Sequence, residues 1–146
     1  MSHTTSIKAI KIVSIDALRS ALNELNSQGV RLTLTENAKP RAYYQSQEGM
    51  GQADYVIGVP GAKYDIGLYK AADGSYETRT DFWGGSVQSQ LGVEACSVEN
   101  REQAKLGKLF QMYGIHATEL EARRRGHVTR RVQGQDGTVQ VVIAMN

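Results

Sequence analysis

Cysteine, proline, tryptophan and histidine are all scarce in this chain: one, two, one and three among 146 residues. A lone cysteine, Cys96, excludes an internal disulfide, so the core must hold the fold, and it fits a reducing compartment. The histidines, at 3, 116 and 127, fit no metal spacing. His116 and Glu119 can share a helical face, but a site needs a further ligand, so no metal is expected. No apolar run approaches the roughly 20 residues of a membrane helix, and Met1-Ser2-His3-Thr4-Thr5 has neither the basic start nor the apolar stretch of a signal peptide. The expected location is the cytoplasm, with no membrane partner. Covalent catalysis also lacks support. Cys96 has no basic neighbour in sequence, Ser86 lies in no nucleophile elbow, and no P-loop is present. No catalytic residue or cofactor is assigned and the reading leans away from an enzyme, although acid and base from distant positions can meet in a fold.

What is present is ordinary for a globular chain: 40% hydrophobic and 22% charged residues in a length that suits one domain, taken as residues 1–146. The net charge of +2 hides an asymmetry. Residues 101–131 hold eight Lys/Arg against three acids, a local +5, while the remainder carries −3. An anionic partner is therefore sought first in that segment.

Residues 3–13, rich in Thr and Ile, read as a first strand. Ser14 is an N-cap, and Ile15, Leu18, Leu22 and Leu25 recur at helical spacing up to Gly29, predicting a helix of about fourteen residues. Residues 30–35 alternate, placing Val30, Leu32 and Leu34 on one face of a second strand. From 36 to 54 the pattern fails, and only Arg41-Ala42-Tyr43-Tyr44 looks strand-like in what reads as a long excursion. Strands are predicted at 55–59, 63–70 and 75–83, the last two joined by Ala72-Asp73-Gly74-Ser75. The same Asp-Gly device joins 127–133 to 139–145. Between them, 98–125 carries a helical stripe of Leu106, Leu109, Phe110, Tyr113, Ala117 and Leu120, with a kink or break expected at Gly114. The predicted fold is α+β: a two-layer domain, mainly antiparallel sheet with two helical segments packed on one face.

Several short segments follow one another in a distinctive order. They are Met1-Ser2-His3, the run from Tyr64-Asp65-Ile66-Gly67 through Asp73-Gly74-Ser75-Tyr76 to Asp81-Phe82-Trp83-Gly84, then Tyr113-x-x-His116, and Glu121-Ala122-Arg123-Arg124-x-Gly126. Together they resemble the cyanobacterial and algal plastid family known as hypothetical chloroplast reading frame thirty-five, which has relatives in tailed phages. The resemblance spans most of the chain except 36–62 and 85–97. It departs at Thr4, where an aromatic is common, at Phe82, which stands for a Trp, and in a Tyr-to-His spacing one residue longer. The family is defined by sequence, so the resemblance implies no activity, cofactor or catalytic residue.

Three clusters are candidate binding residues. The first is Arg123, Arg124, Arg125, Arg130 and Arg131, five guanidinium groups in nine residues. Arginine forks bind phosphates bidentately, but cations in a last helical turn also serve the helix dipole, and strand residues alternate faces, so not all five can converge. The second is Trp83-Gly84-Gly85-Ser86 with Tyr69 and Tyr76 before it: either a stacking platform beside a close-approach backbone, or a core Trp and a turn. The third is Arg41, Tyr43, Tyr44 and Tyr55 around Gly49-Met50-Gly51, either a lid over a ligand or a variable loop. Arg41, Tyr43, Tyr44, Tyr69, Trp83, Arg123, Arg124 and Arg130 are thus the expected ligand-binding set. The expected function is non-enzymatic binding of a phosphorylated, nucleotide-like small molecule. If the chain comes from a phage, as the distribution of that family permits, the expected role by analogy is the sequestering of a nucleotide signal of host immunity. Two alternatives stay open: a nucleic-acid binder using the basic segment along a phosphate backbone, and a protein-protein adaptor docking through a strand edge or helix face. A pocket shared across a homo-oligomer is compatible with so small a chain.

Overall fold

The computed structural model describes residues 4–42, 51–81, 86–91, 106–133 and 139–144. The fold is α+β. Five strands, β1 (Thr4–Ile12), β2 (Thr33–Ala38), β3 (Ala53–Gly58), β4 (Ile66–Lys70) and β5 (Tyr76–Asp81), form an antiparallel sheet in the order β1-β5-β4-β3-β2. The remaining elements are α1 (Ile15–Ser27), a short α2 (Ser86–Gln90), α3 (Gly107–Arg124), β6 (Val128–Gln133) and β7 (Val139–Ala144).

The register fixes the two faces of the sheet. Leu34 pairs with Ile57, Ile57 with Ile66, Ile66 with Thr80 and Leu68 with Thr78. Partners across a ladder share a face, so these side chains form one apolar surface. Leu18, Leu22 and Leu25 of α1 and Leu109, Phe110 and Tyr113 of α3 pack onto it in one core cluster. The opposite face carries Thr33, Thr35, Val56, Gly58, Gly67, Tyr69, Glu77 and Arg79, and neither long helix covers it.

Helix α1 starts as its sequence dictates: the Ser14 hydroxyl accepts from the Ala17 N–H at 3.1 Å, and Gly29 takes φ +91° just beyond its end. The Asp-Gly turn also forms. Gly74 has φ +86°, and Asp73 Oδ1 accepts from the Ser75 N–H and hydroxyl at 3.0 and 2.6 Å.

Three expectations need correction. The ladder of β2 begins at Thr33 rather than residue 30, because Asn26 bonds both the N–H and the carbonyl of Leu32, holding that segment to α1. It then runs on to Ala38, through residues whose polarity suggested a loop, because β3 supplies partners as far as Ala53. Helix α3 passes unbroken through Gly114, which lies on its exposed side. Packing along the Leu109, Phe110 and Tyr113 stripe outweighs a glycine's loss of about 1 kcal/mol. Finally, β6 and β7 form their own two-stranded sheet against α3 instead of extending the main one. The proposed turn of that hairpin and residues 98–105 of the predicted helix lie outside the described residues.

Candidate functional site

On the face of the sheet that neither long helix covers, a polar cavity of about 440 Å³ lies over the β2–β3 pair. Its walls include Thr33 and Thr35 from β2, Val56 and Gly58 from β3, the Val59-Pro60 turn, and Lys39, Arg41 and Asp65. Arg41 is placed by bonds of both its main chain and its side chain. Its N–H donates to Asp65 Oδ2 at 2.9 Å and its carbonyl accepts from the Asp65 N–H at 2.9 Å. Its Nε and Nη2 both donate to Asp65 Oδ1, at 3.0 and 2.8 Å, and Nη2 also reaches the Val59 carbonyl at 2.8 Å.

The Asp65 side chain is only 10% exposed while that of Arg41 is 50% exposed. Burial alone would raise the Asp65 carboxyl. Hydrogen bonds from the Arg41 side chain and backbone and from the Val59 N–H outweigh it and hold the group below the usual carboxylate range. The guanidinium is correspondingly held in its charged form. The result is a positioned arginine whose Nη1 edge has no partner among the described residues, beside an exposed Lys39 and two threonine hydroxyls.

Farther across the same face, the phenol end of Tyr69 lies over Gly67. A Cβ built at Gly67 would fall 2.7 Å from Tyr69 Cε2, so the position is confined to glycine unless the ring moves. The Arg79 guanidinium lies over the Tyr69 ring, 4.5 Å from its centroid. Tyr69 is thus packed between its own strand and a neighbouring cation, and burial raises its hydroxyl above the usual tyrosine range.

The arginine-rich segment is arranged differently. Arg131 donates to both Glu119 oxygens, at 2.9 and 2.8 Å, and to Glu24 at 2.8 Å. His116 Nε2 lies 2.8 Å from the other Glu24 oxygen. The His116 and Glu119 pair considered for a metal is therefore engaged in a charged network that joins α1, α3 and β6. Among the described residues no three His, Cys, Asp or Glu converge on a metal-sized space. Arg125 pairs with Glu121 at 3.0 Å, and Arg123 Nε caps the Glu119 carbonyl at 3.3 Å. Arg124 ends α3, while Arg130 projects from the side of β6 opposite to Arg131; both are exposed. A second cavity of about 420 Å³, lined by Ala117, Thr118, Glu121, Ala122, Arg125, His127 and Ile143, opens between α3 and the hairpin.

Of the expected ligand-binding set, Arg41 and Tyr69 share that face of the sheet, whereas Arg123, Arg124 and Arg130 belong to the junction of α3 with the hairpin. Tyr43, Tyr44 and Trp83 lie outside the described residues. Sequence reasoning did not select Thr33, Thr35, Lys39 or Asp65. Asp65 had one usable signal, a carboxylate just before the apolar Ile66-Gly67-Leu68 run. The threonines had none, since alternate threonines are ordinary in strands. No family model, curated protein or solved structure matches the chain.

Proposed function

We propose that the chain is a non-enzymatic binding protein for a phosphorylated, nucleotide-like small molecule, held in the polar cavity over the β2–β3 pair. The observation that carries this reading is Arg41, fixed by a buried carboxylate yet half exposed beside Lys39. Because its position is set before any ligand arrives, little side-chain freedom remains to be lost on binding. Thr33 and Thr35 offer hydroxyl donors to phosphate oxygens, and about 440 Å³ lies within the range of small-molecule sites. Asp65 cancels the charge of Arg41, so Lys39 carries the excess positive charge, which favours a singly phosphorylated group over a polyphosphate. The Tyr64-Asp65-Ile66-Gly67 run that resembles the plastid and phage family contributes the carboxylate that sets Arg41.

A thermal-shift screen against nucleoside monophosphates, cyclic dinucleotides and ADP-ribose tests the reading. A ligand at a hundredfold excess over Kd adds about 2.7 kcal/mol, a rise of several degrees. Lys39→Ala, at an exposed position, is expected to remove that rise while leaving the unliganded melting temperature within about a degree. Recovery of the intact ligand separates binding from turnover. The reading is wrong if no phosphorylated compound shifts the transition, or if the shift survives in Lys39→Ala. Steeply salt-dependent binding to nucleic acid, lost on replacing Arg123, Arg124 and Arg130, would instead move the function to the helix–hairpin junction.

A further inference from the structure

The β6–β7 hairpin has two unlike edges. β6, Val-Thr-Arg-Arg-Val-Gln, carries two arginines. β7, Val139-Gln140-Val141-Val142-Ile143-Ala144, has no charge and no proline, and four of its six residues are β-branched. Among the described residues β7 pairs only with β6, which leaves its other edge with unpaired backbone groups. Strand edges of this kind are ordinarily blunted by charge, proline or a bulge. Nor is a two-stranded sheet independently stable in water.

The surroundings of β7 are also incomplete on that side. Arg131 ties β6 toward α1 through Glu24, so β7 lies over the opposite flank of α3. There the cavity of about 420 Å³, lined by Ala117, Thr118, Ala122 and Ile143 among others, remains open, and Ile143 is 40% exposed. Among the described residues, an unprotected aliphatic edge and an uncovered apolar crevice are thus contiguous.

We propose that β7 pairs antiparallel with β7 of a second copy of this chain, giving a four-stranded sheet in the order β6-β7-β7-β6 across a two-fold axis. Charge selects this occupant. Self-pairing along β7 brings no like charges together, whereas pairing along β6 would bring the arginines of the two copies together. Both arginine-bearing strands then become the outer edges, and the assembly closes at two copies. With the axis normal to the sheet, both α3 helices lie on one side. Val141 and Ile143 of each copy then extend over the open crevice of the other.

Sedimentation of the full chain tests the pairing, with twice 16.0 kDa expected at tens of micromolar. On the outer hairpin face, Gln140→Lys with Val142→Lys makes one variant, and Gln140→Glu with Val142→Glu makes another. Each alone is expected to weaken dimerisation more than about tenfold, while their equimolar mixture restores it by pairing opposite charges. Circular dichroism verifies that each variant is folded, and Gln140→Lys alone serves if a double variant is not. A wild-type monomer at about 100 μM, or a dimer that neither charged variant weakens, overturns the proposal. Neither substituted position lines the polar cavity, so ligand binding there can fail independently of this result.

Discussion

Asp65 keeps a charge in a buried position because it accepts from Arg41 Nε, Nη2 and N–H and from the Val59 N–H. Asp65→Asn preserves size but replaces one acceptor oxygen with an amide that opposes these donors. Since the Arg41 side chain is half exposed, water takes up part of the lost interaction, and we expect a loss of about 1–2 kcal/mol rather than the larger values for fully buried pairs. Urea unfolding at pH 7 measures it. An unchanged midpoint would show that the pair does not stabilise the fold. The same substitution should weaken any ligand that depends on Arg41, since an untethered guanidinium must be ordered at binding.

The elements divide according to how local their causes are. Helix α1 was legible because its cap at Ser14, its apolar spacing and its stop at Gly29 all lie within the segment, and the Asp73-Gly74 turn was legible for the same reason. What remained hidden depends on partners distant in sequence. The continuation of β2 to Ala38 needs β3, and the lone hairpin reflects tethering by Glu24, which lies 107 residues before Arg131. The candidate site was legible in part: Arg41 drew attention as a cation beside tyrosines, but the carboxylate that fixes it lies 24 residues on.

Helix α3 offers two opposite tests of local against distant causes. Gly114 has nothing within 4 Å of a built Cβ and a helical backbone, so Gly114→Ala should stabilise by about 1 kcal/mol, raising the melting temperature by about 4 °C. A fall on calorimetry would mean the position needs glycine for another reason. Tyr113→Phe works the other way. The Tyr113 hydroxyl accepts from the N–H groups of both Val13 and Ser14, at 2.8 and 3.0 Å, securing the β1–α1 corner to α3. Leaving those two donors without an acceptor should lose about 1–3 kcal/mol in chemical denaturation, although the ring keeps its packing.

At the scale of the molecule, a contact that joins both long helices to the hairpin is electrostatic. Hydrogen bonds from Arg131 hold Glu119 and Glu24 below the usual carboxylate range, against the upward effect of burial. Depressed carboxylate pKa values stabilise the fold above the ordinary range, near 4.3 for glutamate, and that stabilisation is lost as pH falls through the folded values. Arg131→Met removes the shared partner while keeping an apolar stem of similar length. The variant should lie below wild type at pH 7 by roughly 1–2 kcal/mol, a modest figure because the Arg131 side chain is 34% exposed. Thermal melts taken downward from pH 7 should show that gap narrowing progressively below about pH 4.5, since protonated glutamates no longer depend on the guanidinium. A gap of constant size across that range would mean that Arg131 holds the hairpin through packing of its stem alone, and that the charges of Glu24 and Glu119 contribute nothing to joining the layers.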